Sequence, residues 1–518
     1  NDNPIASALA MLLNLSSSRP DHPLAEAREL KRIVAELPID NAYKVVDEIH
    51  GWFESLLVSA DFRADLLFEV VRQLDEAAQP HLRRVARDYL HTPRLSKNDE
   101  RRLSSISFAY WGELANLYTR CLEAARQAPK DKVGEALKPS LPLIAARLIA
   151  ARGHQLKWVL LRYGQVGEEI WRALGLSYLA ADAAGFAQKP VQLYPGQTGM
   201  TSVQQQYLRP LMLFASSMDS LIPLEIELAD RLIAHALGAF TFVSECRPEC
   251  VYWVDAAGAT PPVRLARAPD AGAAGLRFFG PGDAPQFIDG LLRQVERGEV
   301  PKDINLGGEY HARVLLPVLR HLALYWAAEP PHREHRRHAV KTRLAVLQGF
   351  DDCFTVFAGD VAKTGKERSA ETWVVENVSL GGFGVAVPDN GDGLRIGALV
   401  ALQPEGGENW LLGVVRRFGR DADGRASVGI QSLSKQAASI ELIPRSSGFA
   451  AATAVPAIWL REGEAPGEMR LVLPATSFDV REQLEFERDR QRVVLMPIEL
   501  EEAGAGFEVG RYRERGEF

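Results

Sequence analysis

Two short stretches carry residue types and spacing suited to holding a ligand. The first is Arg333-Glu334-His335-Arg336-Arg337, followed by Val340, Lys341, Arg343 and an apolar run from Leu344 to Leu347. A guanidinium group is planar, permanently charged and rich in paired donors, so it suits anionic oxygens and flat rings. The competing reading is a solvated basic linker. The second stretch is Asn377-Val378-Ser379-Leu380-Gly381-Gly382. Trp373, Val374 and Val375 precede it, and Phe383, Val385 and Val387 alternate after it. That pattern reads as strand, tight turn, strand. Asn and Ser side chains bond backbone two residues on, and paired glycines permit positive φ and close approach of a ligand. An ordinary hairpin turn is the alternative. Asn377 and Ser379, two apart, share one face of a strand.

Other candidate sites fail on spacing. Cys246 and Cys250 flank Arg247-Pro248-Glu249, but a zinc site needs two further ligands at similar spacing and none is near. His332, His335 and His338 recur every third residue among arginines, whose charge disfavours a bound cation. No metal and no cofactor are expected. There is no Gly-x-x-x-x-Gly-Lys-Ser/Thr loop, no Gly-x-Ser-x-Gly and no His-Glu-x-x-His. Carboxylates are scattered, so no catalytic residue is expected and the chain does not read as an enzyme.

An Arg-x-x-x-Arg segment entering a strand, followed by Asn-x-Ser-x-x-Gly, resembles the PilZ domain, a family known as a bacterial receptor for cyclic di-GMP. Arg333 and Arg337 match the first motif; Asn377, Ser379 and Gly382 match the second. The family's closing Val-Gly-hydrophobic strand is matched at Val428-Gly429-Ile430. The resemblance covers residues 331 to 443. It implies a six-stranded β-barrel that binds cyclic di-GMP through Arg333, Arg337, Asn377, Ser379, Gly381 and Gly382. Arg336 and Lys341 are alternatives for the arginine positions. The two motifs lie farther apart than the family pattern, and Gly359 to Glu371 reads as the long hairpin loop that separates them. Arginine suits this ligand because guanidinium bonds guanine O6 and N7 in a bidentate manner, stacks on its face and pairs with phosphate.

Most of the chain must serve to position these residues. Leu24 to Gln127 is helical by spacing: Leu30, Ile33, Val34 and Leu37 make one stripe, Val45, Val46, Ile49, Trp52 and Phe53 a second. Pro38, Pro80 and Pro93 punctuate these helices, and Asp61 and Asn98 sit at N-cap positions. Residues 141 to 240 stay helical, broken at Lys189–Gly196 and interrupted at Pro210 and Pro223. Thr241–Val243, Val251–Val254, Val263–Leu265 and Leu276–Phe279 read as short strands, with helices over Pro285–Arg297 and Tyr310–Trp326. Ala328-Glu329-Pro330-Pro331 reads as a stiff linker. Strands continue after Ile443 with no second Asn-x-Ser-x-x-Gly, so that part is expected to be structural.

The expected architecture is multidomain α plus β. It comprises an all-α region over 1–240, a small α+β segment or flap over 241–329, a PilZ-like barrel over 330–443, and a β extension or second small barrel over 444–518. A chain of 518 residues is too long for a single core. Its 47% hydrophobic and 25% charged content is ordinary for a globular protein, and a net charge of −7 gives no reason to expect nucleic acid. No eighteen-residue apolar run argues for a membrane span. Four cysteines make no disulfide framework, and a reducing cytoplasm is expected. The start at Asn1-Asp2-Asn3-Pro4-Ile5 reads as trimmed. Together these point to a cyclic di-GMP effector whose barrel senses the dinucleotide and whose helical region addresses a protein partner. The alternative is a protein-interaction scaffold with a degenerate barrel.

Overall fold

The computed structural model describes residues 20–266, 269, 273–332, 336–358, 370–445 and 453–515. The chain divides into two compact units. The first is Asn1–Arg162, Val166–Met218 and Pro223–Pro331; the second is Tyr163–Gln165, Asp219–Ile222 and His332–Phe518.

The first unit is built from α1 (Ala27–Ala35), α2 (Ala42–Val58), α3 (Ala64–His91), α4 (Lys97–Gln127), α5 (Lys132–Leu137), α6 (Leu141–Leu161), α7 (Glu168–Ala183), α8 (Val203–Ala215) and α9 (Pro223–Ala236). Helix α6 is apolar nearly all round, so it is buried, and it packs against α4, α7 and α8. Its two interior charges find partners. The Arg147 guanidinium lies 2.8 Å from Glu76 and 3.6 Å from Asp75. Asp75 in turn accepts hydroxyl protons from Tyr118 (2.7 Å), Tyr194 (3.0 Å) and Tyr110 (3.2 Å). Lys157 pairs with Glu227 at 2.8 Å and Asp230 at 3.1 Å, and Arg209 closes the cluster on Asp230. His154 stacks on Trp111 at 4.2 Å, and burial, reinforced by Lys157 and Arg209, pushes its imidazole down to about 3. Burial raises the Glu227 carboxyl, but Lys157 and Arg231 overcome it and hold the group down to about 2.

Strands β1 (Thr241–Val243), β2 (Tyr252–Asp255), β3 (Val263–Arg264) and β4 (Leu276–Gly280) form one sheet in the order β1-β4-β2-β3, followed by α10 (Ala284–Glu296) and α11 (Ala312–Tyr325). This segment belongs to the helical unit: Arg277 of β4 donates to the Tyr178 hydroxyl and pairs with Asp182, both on α7. The four strands fall where the sequence placed them. Two proline expectations do not hold, because Pro80 and Pro210 lie inside α3 and α8. The caps also differ. Arg63 precedes α3, and the Ser96 hydroxyl, not Asn98, accepts the Asp99 N–H that starts α4.

The second unit contains two closed six-stranded barrels. The first uses β5 (His338–Gln348), β6 (Glu371–Ser379), β7 (Gly382–Ala386), β8 (Leu399–Pro404), β9 (Leu411–Arg420) and β10 (Ala426–Ser434). The second uses β11 (Ala437–Pro444), β12 (Val455–Leu460), β13 (Glu468–Pro474), β14 (Leu484–Arg488), β15 (Gln491–Ala503) and β16 (Phe507–Arg515). Their connectivity is the same. Counting strands within each barrel, the ring runs first, second, third, sixth, fifth, fourth and back to first, every pair antiparallel. The β extension is therefore a second barrel of the same topology. It begins at Ala437, earlier than the expected boundary at residue 444.

Leu344, Val346, Trp373, Val375, Val385, Phe418, Val428 and Ile430 fill the first barrel. Met469, Leu471, Leu473, Phe486, Leu495 and Tyr512 fill the second. A third apolar cluster joins the barrels. Leu399, Ala401, Leu412 and Val414 on β8 and β9 meet Ile458, Leu460, Val472, Phe507 and Val509 on β12, β13 and β16. Helix α12 (Phe350–Phe357), absent from the sequence expectations, contributes Phe350 and Cys353 to that seam.

Candidate functional site

The motif hairpin is the second and third strand of the first barrel. Ser379 pairs with Gly382 across the two-residue turn Leu380-Gly381. Its hydroxyl donates to the Gly382 carbonyl at 3.3 Å, which fixes the turn. Gly382 is not there for positive φ, contrary to expectation. It is an ordinary strand residue, and an added Cβ would collide with the Ile430 carbonyl oxygen of β10. Close backbone approach is required, but the approaching group is the closing strand. That strand contains Val428-Gly429-Ile430, and β10 pairs with both β7 and β9.

A bulge decides which way the motif faces. Strict alternation from Trp373 through Val375 would send Asn377 and Ser379 into the barrel. Register shifts fall between Val375 and Asn377 on β6, and between Ala339 and Thr342 on β5. The extra residue, Glu376, inverts the phase, so Val378 packs on the core after Trp373 and Val375. Asn377 and Ser379 thereby share the outer face. Gly384, opposite Asn377 on β7, makes this possible: a Cβ there would stand 2.5 Å from Asn377 Oδ1 and 2.6 Å from Nδ2. Gly384 was not among the sequence candidates, although the run Gly381-Gly382-Phe383-Gly384 contained the signal. The bulge left no such trace.

Asn377 Oδ1 is buried and has no hydrogen-bond partner among the described residues. An unsatisfied buried acceptor costs ~1–3 kcal/mol, which a donor brought by a ligand removes. Beside it lies an open cleft of about 440 Å³ lined by Ala339, Val340, Lys341, Val374, Val375, Glu376 and Ala386. Val340 and Val374 are 38% and 43% exposed, so its walls are apolar, with Lys341 and Glu376 supplying charge. Arg336 and Arg337 are exposed immediately before β5, and Ala339 pairs with Asn377. Arg336 and Lys341 have no ion-pair partner among the described residues. The structure thus brings Lys341, Asn377, Ser379, Gly381 and Gly382 to one hairpin and its neighbouring strand. Arg333 lies outside the described residues, as does Gly359 to Ser369 of the expected long loop. Among the described residues no group of His, Cys, Asp or Glu is arranged to hold a metal, and no helix is long and apolar enough to cross a membrane.

Comparison with known families places a signal in the other unit. Residues 28–245 match the model of the cyclic-di-GMP receptor FimW, N-terminal domain. This stretch spans most of the helical region, where spacing and composition pointed only to a core. No curated protein and no solved structure matches the chain.

Proposed function

We propose that the chain is a cyclic di-GMP effector, in which the first barrel, a PilZ-like domain, holds the dinucleotide and the helical unit relays its presence to a protein partner. The observation that carries this reading is the outward-facing Asn377, with its unpartnered acceptor beside an apolar cleft at the strand that Arg337 enters. Guanine offers donors to that acceptor, and its ring suits the walls of Val340 and Val374. Arg333 and Arg337 serve guanine O6 and N7 or the phosphodiesters; Arg336 and Lys341 add charge at the rim. Ser379, Gly381 and Gly382 hold the turn at the distance this requires. The helical match to a receptor for the same ligand supports the assignment independently of the barrel motif. Several charged hydrogen bonds of ~1.5–3 kcal/mol each suffice for micromolar affinity or better. Titration calorimetry of the full chain with cyclic di-GMP tests the proposal; saturable binding is expected. Absence of binding at tens of micromolar ligand overturns it.

A further inference from the structure

The outer face that carries Asn377 continues beyond the hairpin. The pairing register runs Ala339–Asn377–Gly384–Gly429–Arg417 across β5, β6, β7, β10 and β9. A second bulge, between Gly429 and Ile430 against Arg417 and Val415, makes Arg416 the extra residue on β9. Val415 and Phe418 stay in the core, so Arg417 is turned outward as Asn377 is. Gly384 and Gly429, between these two residues, bring no side chain of their own to this register, and the Asn377 amide lies against the first. The Arg417 stem lies alongside the second: a Cβ on Gly429 would sit 3.3 Å from Arg417 Cβ. Three strand spacings of ~4.8 Å separate Asn377 from Arg417, about 14 Å along the arc. That is the backbone separation; the Asn377 amide and the Arg417 stem both lean inward over the glycines between them.

Accepting the dinucleotide reading above, we infer that this glycine-floored strip receives the second half of the ligand and that Arg417 is its contact at the far end. Arg417 is held at present by Asp219, a residue of the same compact unit, 3.9 Å away, with side chains 46% and 43% exposed. A half-exposed pair at that distance contributes little by itself, and Arg417 and Asp219 each make a further interaction. A phosphodiester or guanine edge offers guanidinium the same charge or acceptor pairing with better geometry. Bound ligand therefore displaces Asp219 from Arg417. The bland alternative is that Gly429 merely makes room for the arginine stem and Arg417 is an ordinary surface cation.

Calorimetry on the full chain separates the two. Wild type, Arg417→Ala, Arg417→Gln and Asp219→Asn are titrated with cyclic di-GMP, and wild type and Arg417→Ala also with GMP. Arg417→Ala and Arg417→Gln should each weaken cyclic di-GMP roughly ten- to a hundredfold. Asp219→Asn should tighten it by removing the competitor. GMP, which lacks the second base and seats its one guanine at Asn377, should respond to Arg417→Ala by less than threefold. Wild-type binding with unchanged affinity in both Arg417 variants, each shown folded by its thermal melt, overturns the inference and leaves the site reading standing. No wild-type binding defeats the site reading itself, and the inference with it.

Discussion

The two barrels share one topology and put the same strands to opposite uses. In the second barrel, the outer face of the second, third and sixth strands is apolar: Ile458, Leu460, Val472, Phe507 and Val509 are buried in the seam. In the first barrel those strands are β6, β7 and β10, and their outer face carries Asn377, Ser379, Gly384 and Gly429. The remaining charge follows the same division. Arg488 grips Glu514 through two bonds, Arg470 meets Glu501 at 2.8 Å, and Arg511 meets Glu499 at 2.8 Å, so the second barrel neutralises these arginines itself. Among the described residues the first leaves Arg336 and Lys341 without an ion-pair partner and the Asn377 acceptor without a hydrogen bond. Shared topology does not make the two outer faces alike; the bulge at Glu376 and the side chains outside each barrel set them apart.

The sharpest way to break this contrast is to truncate one residue on each version of the face. Leu460→Ala should cost ~2–5 kcal/mol in urea denaturation, because it opens a cavity in the seam. Val374→Ala, on the corresponding strand of the first barrel and 43% exposed, should stay within about 0.5 kcal/mol. Equal losses would mean that the two faces do not differ as described.

Polar groups buried in the helical unit should behave unlike those on the barrel face. His154, pushed down to about 3 from 6.5, stays neutral in the fold. Below pH 6.5 the unfolded chain takes up a proton that the folded one refuses, so stability falls as pH drops toward 3. At pH 4.5 this one residue accounts for ~2–3 kcal/mol of lost stability. Glu227 adds to the loss only at lower pH, as its unfolded form protonates below 4.5 while its folded form resists to about 2. His154→Phe keeps a ring against Trp111 and should flatten the decline between pH 7 and 4.5, read from melts at both values.

The site residues come next in size. Arg333→Ala and Arg337→Ala should each weaken cyclic di-GMP by ~1.5–3 kcal/mol, roughly ten- to a hundredfold. Arg336→Ala should matter less, and its effect should shrink as salt rises. If instead Arg336→Ala abolishes binding and Arg333→Ala does not, the arginine pair is in another register.

The smallest effects belong to the hairpin. Ser379→Ala should cost ~0.5–1.5 kcal/mol of binding, as a neutral hydrogen bond does. Gly384→Ala should resemble Asn377→Ala in calorimetry, because its Cβ forces the amide out of place. A Gly384→Ala protein that binds normally would show that the Asn377 position is not used.

Helices and strands were legible in the sequence where a single face repeats. The stripe of Val45, Val46, Ile49 and Phe53 is buried as its spacing demands, and Trp373, Val375, Val428 and Ile430 line a barrel interior. The motif hairpin was legible because Asn377, Ser379, Gly381 and Gly382 are local in the chain and turn chemistry is local. Prolines were misread, since Pro80 and Pro210 are accommodated by helices whose packing outweighs the lost backbone bond. The orientation of the motif could not be read, because one extra residue in a strand inverts a period of two and is defined only against the partner strand. Gly382 needed β10 to explain it, and Arg417 falls in line with Asn377 only through a register spanning five strands. Local pattern determined which elements form and where the hairpin turns. Which of two identically wound barrels keeps an open face was decided by contacts between residues distant in the chain, such as Leu412 with the seam around Leu460, and those exist only in the folded protein.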